Sequence, residues 1–225
     1  MGVAYASTTN DFTPATGTGT EGSASQIGFN VGVLAQLTGS LKLDLGASLI
    51  MPNASFTPAV TTQTESKVSQ TFIGVNARLF WKYSPKLSFV PVVGFITASG
   101  TGDNGTITPA VSADLPSLTV ITAGFGINYI VGDFLLAGGP AFATTTVTTP
   151  AIPNGNPELK TSTMIFPMWN LGLEWKMNDW LMGRLGYVGN TNKVTSESSN
   201  GATPPAVNEN VTTGFAPYGA TLGLG

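Results

Sequence analysis

The stretch Leu41-Lys42-Leu43-Asp44-Leu45-Gly46-Ala47-Ser48-Leu49-Ile50-Met51 alternates. Leu41, Leu43, Leu45, Ala47, Leu49 and Met51 hold the odd positions, with Lys42, Asp44, Gly46 and Ser48 between them. Successive side chains of a strand point to opposite faces, so this pattern is a strand with one apolar and one polar face. The same period recurs along the chain.

Ten strands can be drawn, near 2–9, 25–37, 41–52, 69–83, 87–99, 117–131, 134–148, 161–176, 180–191 and 211–224. Four connections are tight: 39–40 (Gly-Ser), 84–86 (Ser-Pro-Lys), 132–133 (Gly-Asp) and 178–179 (Asn-Asp), all of them turn chemistry. Five are long and rich in Thr, Ala, Gly, Asn and Pro, near 10–24, 53–68, 100–116, 149–160 and 192–210. Long and tight connections alternate strictly. In an up-and-down sheet this puts every tight turn at one end and every long loop at the other. Outer-membrane barrels have this asymmetry, with short periplasmic turns and long extracellular loops. The expected fold is therefore all-β: one antiparallel up-and-down transmembrane β-barrel domain spanning 1–225, with about ten strands and both termini periplasmic.

Composition agrees. Of 225 residues, 42% are hydrophobic and only 9% charged, against roughly 25% charged in soluble domains. Seven charges fall inside the clearer strands: Lys42, Asp44, Arg78, Lys82, Glu174, Lys176 and Arg184. All seven lie opposite the main apolar residues. In 69–83, Ile73, Val75, Ala77, Leu79 and Trp81 oppose Asn76, Arg78 and Lys82. An Arg or Lys at the bilayer midplane costs about 2–4 kcal/mol, so lipid enforces this one-sidedness. A soluble sandwich also keeps charge off its inner face, but its outer face would carry more than seven charges. The expected partner of the apolar face is the lipid bilayer, with the seven charges facing a lumen. At eight to ten strands, side chains are expected to fill most of the bore.

Trp81, Tyr83, Tyr129, Phe134, Trp175 and Trp180 all sit within a few residues of tight turns. Amphipathic rings placed there would form a periplasmic aromatic girdle. Two segments phase poorly. In 117–131, Val120 and Ile130 join the polar face, and 134–148 (FLLAGGPAFATTTVT) has no clear phase. Pro91, Pro140, Pro167 and Pro217 obstruct internal ladders and are expected at bulges near the rims.

The stretch WNLGLEWKMNDWLMGRLGYVGNT (169–191) resembles hairpins of bacterial outer-membrane barrels. There a Gly-x-Glu-aromatic strand, an Asn-Asp turn and an Arg-x-Gly-Tyr strand recur. It is similar to outer-membrane-protein-A-like barrels and to the long-chain fatty-acid transporter family, over about a tenth of the chain. The resemblance implies an envelope barrel rather than one family. Barrels of this kind commonly end in an aromatic residue, whereas this chain closes on Thr221-Leu222-Gly223-Leu224-Gly225. Its start has neither a basic nor an apolar leader segment. The expectation is that the sequence is processed or partial, with ten strands a lower bound. No plug segment is apparent.

Chemistry is sparse. No cysteine allows a disulfide or thiolate site, and no histidine allows a His general base. Asp44 and Glu174 share no motif. Their expected role is ion pairing, with Glu174 and Arg184 at near-diagonal positions across the 178–179 turn. No metal or cofactor is expected, and no basic stripe points to nucleic acid. The leading expectation is a non-enzymatic outer-membrane barrel with a structural or partner-binding role, meeting other envelope proteins through its loops. One alternative is a small porin-like channel for ions or apolar solutes. A second is a soluble β-rich surface-layer or fibre subunit.

Overall fold

The computed structural model describes residues 2–12, 19–58, 65–103, 112–151, 157–199 and 207–224. They form eleven strands: β1 (Gly2–Phe12), β2 (Thr20–Thr38), β3 (Leu41–Thr57), β4 (Ser66–Lys82), β5 (Leu87–Asp103), β6 (Ser112–Asp114), β7 (Ser117–Val131), β8 (Phe134–Thr149), β9 (Leu159–Lys176), β10 (Met182–Ser199) and β11 (Val207–Leu224). All belong to one antiparallel sheet, ordered as in the sequence, with β6 paired to the loop end of β5. Ten long strands thus run up and down, as the alternation predicts. Among the described residues, no ladder joins β1 to β11.

The strands run further than the apolar period. Glu21 pairs with Thr57, and Lys67 with Asp103, inside stretches read from sequence as long loops. Ser and Thr continue a ladder without continuing an apolar stripe, so the periodic signal stops before the pairing does. The remaining loop tips lie outside the described residues. At the other end, Val131 pairs with Phe134 around Gly132, whose φ of 57° lies in the left-handed region. Ser84 Oγ accepts from the Lys86 and Leu87 amides at 3.3 and 3.1 Å. Asn178 Oδ1 accepts from the Trp180 amide at 3.1 Å, so β10 starts at Met182 rather than at 180. These side chains saturate donors that a tight turn leaves free.

Cross-strand partners point to the same side of a sheet, so register carries each face from strand to strand. One row reads Val31, Ala47, Val75, Phe95, Ile121. Another reads Trp81, Phe89, Ile127 and, beyond Gly138, Leu171 and Tyr187. This is the apolar face, continuous from β2 to β10. On the opposite, charged face one row reads Gly32, Gly46, Asn76, Gly94, Thr122. Among the described residues no second layer covers either face. Among the described residues Ala98 is the sole buried apolar side chain, while Val33 and Val93 on the apolar face are 52% and 57% exposed. A sheet without a core must be covered by something other than itself.

Irregularities cluster at glycine and proline. Gly138 has φ 144°, and a Cβ there would strike the Asn170 carbonyl, as one on Gly139 would strike that of Phe125. The strands therefore approach closely at Gly138-Gly139-Pro140, which is why 134–148 has no readable phase. Once paired, Phe134, Leu136 and Phe142 lie on the apolar face, with Leu135, Ala137 and Ala141 opposite. In β9 the register slips by one residue against both neighbours, between Met168 and Ile165. Pro167 lies in that slip, and Pro217 lies in the corresponding slip of β11. Pro91 interrupts the β4–β5 ladder without shifting it. The β9 bulge thus lies in mid-strand, not near a rim. Proline has no N–H to give a ladder, and a bulge leaves one residue unpaired, so the two coincide. The Phe166 carbonyl displaced by the bulge accepts a hydrogen bond from the Thr191 hydroxyl on β10.

Candidate functional site: the charged face at the tight-turn end

Register brings together charges that are far apart in sequence. Asp44 on β3 stands directly opposite Arg78 on β4, with 2.8 Å between carboxylate and guanidinium. Arg78 also lies 4.8 Å over the Phe80 ring. Glu174 and Arg184 likewise form a 2.9 Å pair, as directly opposed partners rather than diagonal ones. Lys176 reaches Asp179 in the adjacent turn at 2.8 Å. All three pairs are exposed, Asp179 to 98%, and exposed ion pairs contribute little to stability. Their main effect is to neutralise most of the strand charge.

Lys42 and Lys82 are different. Among the described residues neither has an ion-pair partner. Lys42 lies opposite Phe80, and the Lys82 amide donates to the Ser40 carbonyl at 2.8 Å, so the two lysines are diagonal neighbours on one face. The row through Lys82 continues to Ser88 and Asn128. A cavity of about 540 Å³ opens over these residues, walled on its apolar side by Leu34, Phe80 and Val90. Sequence reading found both lysines but missed Ser40, Ser88, Asn128 and Phe80. Their signal was parity on neighbouring strands, usable once the tight turns set the register.

The charged face is less polar than its charges imply. It also carries Ile50, Phe72, Val92, Ile96 and Val120, as the register requires. Leu34 on this face is 69% exposed, so side chains do not fill the space in front of it as a narrow bore would require. At the loop end a second cavity, about 570 Å³, lies on the other side of the sheet, where Ser69, Thr71 and Ser117 continue the face of Val75 and Ile121, and Asp114 and Glu158 also line it. Nearby, a hydrogen bond from Lys67 holds the Glu65 carboxyl below its ordinary range. On the charged face, unpaired positive charge thus lies at the tight-turn end, on Lys42 and Lys82. Among the described residues no three carboxylates gather in a metal-binding group.

The aromatics read as a girdle lie by the tight turns. Trp81 and Tyr83 meet at 5.9 Å, and Trp81 contacts Phe89 at 5.4 Å. Phe134 stacks on Trp175 at 5.6 Å. Tyr129 is 43% exposed on the apolar face and Trp180 is 78% exposed in its turn. Phe89 and its neighbour Phe125, 5.5 Å away, extend the aromatic contacts toward mid-strand.

No family model and no curated protein matches the sequence. Solved structures do. The ferric-catecholate import receptor Fiu of E. coli K12 superposes with a TM-score of 0.57 at 10% identity, over 99% of this chain and 47% of that one. The Escherichia coli outer membrane transporter YddB gives 0.51 at 7% identity, over 91% and 30%. The beta domain of the Bordetella autotransporter BrkA gives 0.34 at 13% identity, over 98% and 94%. The chain has the fold of an outer-membrane β-barrel wall. It spans about half the length of Fiu and under a third of YddB.

Proposed function

We propose that this chain forms the wall of a non-enzymatic, solute-conducting barrel in a bacterial outer membrane. Its apolar face would meet lipid, its charged face would meet water, and its tight turns and termini would lie on the periplasmic side. The accessible charged face carries the reading, with Leu34 69% exposed there and the cavity of about 540 Å³ opening on it. Lipid accounts for the opposite face, where a strand wall without a second layer would otherwise leave Val33, Val93 and Leu171 in water. No catalytic group is assigned: the chain has no histidine or cysteine, and the two strand carboxylates of the charged face, Asp44 and Glu174, are tied to arginines.

Purified protein reconstituted in planar bilayers tests this. Stable, stepwise conductance is the expected result. Silent bilayers, with insertion verified by protease protection, would return the chain to the role of a structural or partner-binding scaffold working through its loops. Release from membranes into buffer without detergent would instead indicate a soluble surface-layer or fibre subunit.

A further inference from the structure

We propose that Lys42 and Lys82 form a binding site for a phosphate-type oxyanion carrying an organic group, at the tight-turn mouth of the wall. Three of the five basic strand residues on the charged face are satisfied by Asp44, Glu174 and Asp179. The two that are not are diagonal neighbours on one face, a separation of roughly 7–8 Å between strand positions. Long lysine side chains can close that gap onto one multivalent anion. Asp44, two residues from Lys42, is already held by Arg78, so the nearest carboxylate does not compete.

The surroundings fit the same ligand. Lys82 is flanked along its row by Ser40 and Ser88, with Asn128 beyond, and these side chains can donate to phosphate oxygens. No side-chain hydrogen bond occupies Ser88 or Asn128 among the described residues. A cavity of about 540 Å³ exceeds what a bare phosphate needs. The excess space lies against Leu34, Phe80 and Val90. A phosphomonoester with a small apolar or aromatic group therefore suits the site better than the inorganic ion. Lysine suits this role as a point charge with rotatable donors, whereas Arg78 and Arg184 are already committed to carboxylates.

The transport consequence rests on the pore reading, but the binding does not, so two measurements separate them. Phosphorus-31 line broadening of phenyl phosphate is followed on detergent-solubilised protein, with inorganic phosphate as a second probe. Broadening is expected for both, stronger for phenyl phosphate, and weakened about tenfold in apparent affinity by Lys42→Gln with Lys82→Gln. Lys176→Gln, which removes a paired lysine elsewhere on the same face, should leave it unchanged. Equal broadening in the double variant and the wild type would overturn the site. So would an equal loss in Lys176→Gln, which would mean general charge attraction. If bilayers conduct, phenyl phosphate should reduce the chloride current of the wild type and not of the double variant. If they are silent while line broadening behaves as expected, the pore reading fails and the site stands.

Discussion

Gly139 shows how much one missing Cβ can decide. A methyl group there would strike the Phe125 carbonyl, so β7 and β8 would have to move apart. Gly139→Ala is expected to cost about 1–3 kcal/mol, seen as a lower urea midpoint for unfolding from lipid vesicles. Gly39, where nothing lies within 4 Å of a built Cβ, should accept alanine with little change. Thr191 poses the converse case, since its hydroxyl satisfies the Phe166 carbonyl that the bulge removes from the ladder. Thr191→Val keeps the shape and leaves that carbonyl unpaired, at an expected cost of about 1–3 kcal/mol in the same assay. Neither effect was legible in the sequence. A glycine in a strand looks alike whether space or backbone lies across from it, and a threonine gives no sign of which carbonyl it serves. The ion pairs were partly legible. Glu174 and Arg184 share a face across a short turn, so only their exact opposition was missed, whereas Asp44 and Arg78 needed the β3–β4 register.

Among the elements, β3 and β4 were the easiest to read, because the apolar residues at the odd positions from Leu41 to Met51 and from Ile73 to Trp81 leave one possible phase. Strand β8 gave no phase at all, and strand β9 gave a misleading one. It reads as one alternation from Ile165 to Trp175, yet the bulge at Pro167 divides it. Below the bulge Trp169, Leu171 and Leu173 share the apolar face. Above it Phe166 and Met164 share that face, and Ile165 turns to the other side. Because the chain has no native cysteine, single-cysteine labelling reads this directly. Met164→Cys should resist a water-soluble maleimide in vesicles, and Ile165→Cys should react. The reverse pattern would place the strand without its bulge. The strand ends escaped the sequence reading for a different reason, since polar ladders such as Ser23 with Ser55 carry no hydrophobic signal, although their hydroxyls meet at 2.8 Å.

On the proposed placement in a membrane, the physical asymmetry of the whole molecule is between two solvents rather than between surface and core. Substitutions should then be judged by the face they fall on, not by depth of burial. Val75 and Asn76 are adjacent in mid-β4, point to opposite faces, and are both exposed. Val75→Arg is expected to cost about 2–4 kcal/mol in a bilayer, and Asn76→Arg close to nothing. Equal costs, measured by unfolding from vesicles, would mean that both faces see water. The fold class was legible because a lipid-facing wall restricts composition so strongly. The site was only half legible. A wall needs few charges, so Lys42 and Lys82 were visible as residues, while their lack of partners is a property of the paired sheet.

The bulge in β9 also bears on how this chain can change in length. In a regular strand, losing one residue exchanges every side chain beyond the gap between lipid and water. Strand β9 already holds one residue more than either neighbour requires. Removing Pro167 would leave Phe166 opposite Phe142, with Trp169 and Met164 still on their present side. Loss of Pro167 should therefore give protein that still inserts, whereas loss of Gly74 from the unbulged β4 should not, as judged by protease protection in vesicles. At this position the wall could gain or lose a residue over evolutionary time without turning itself inside out.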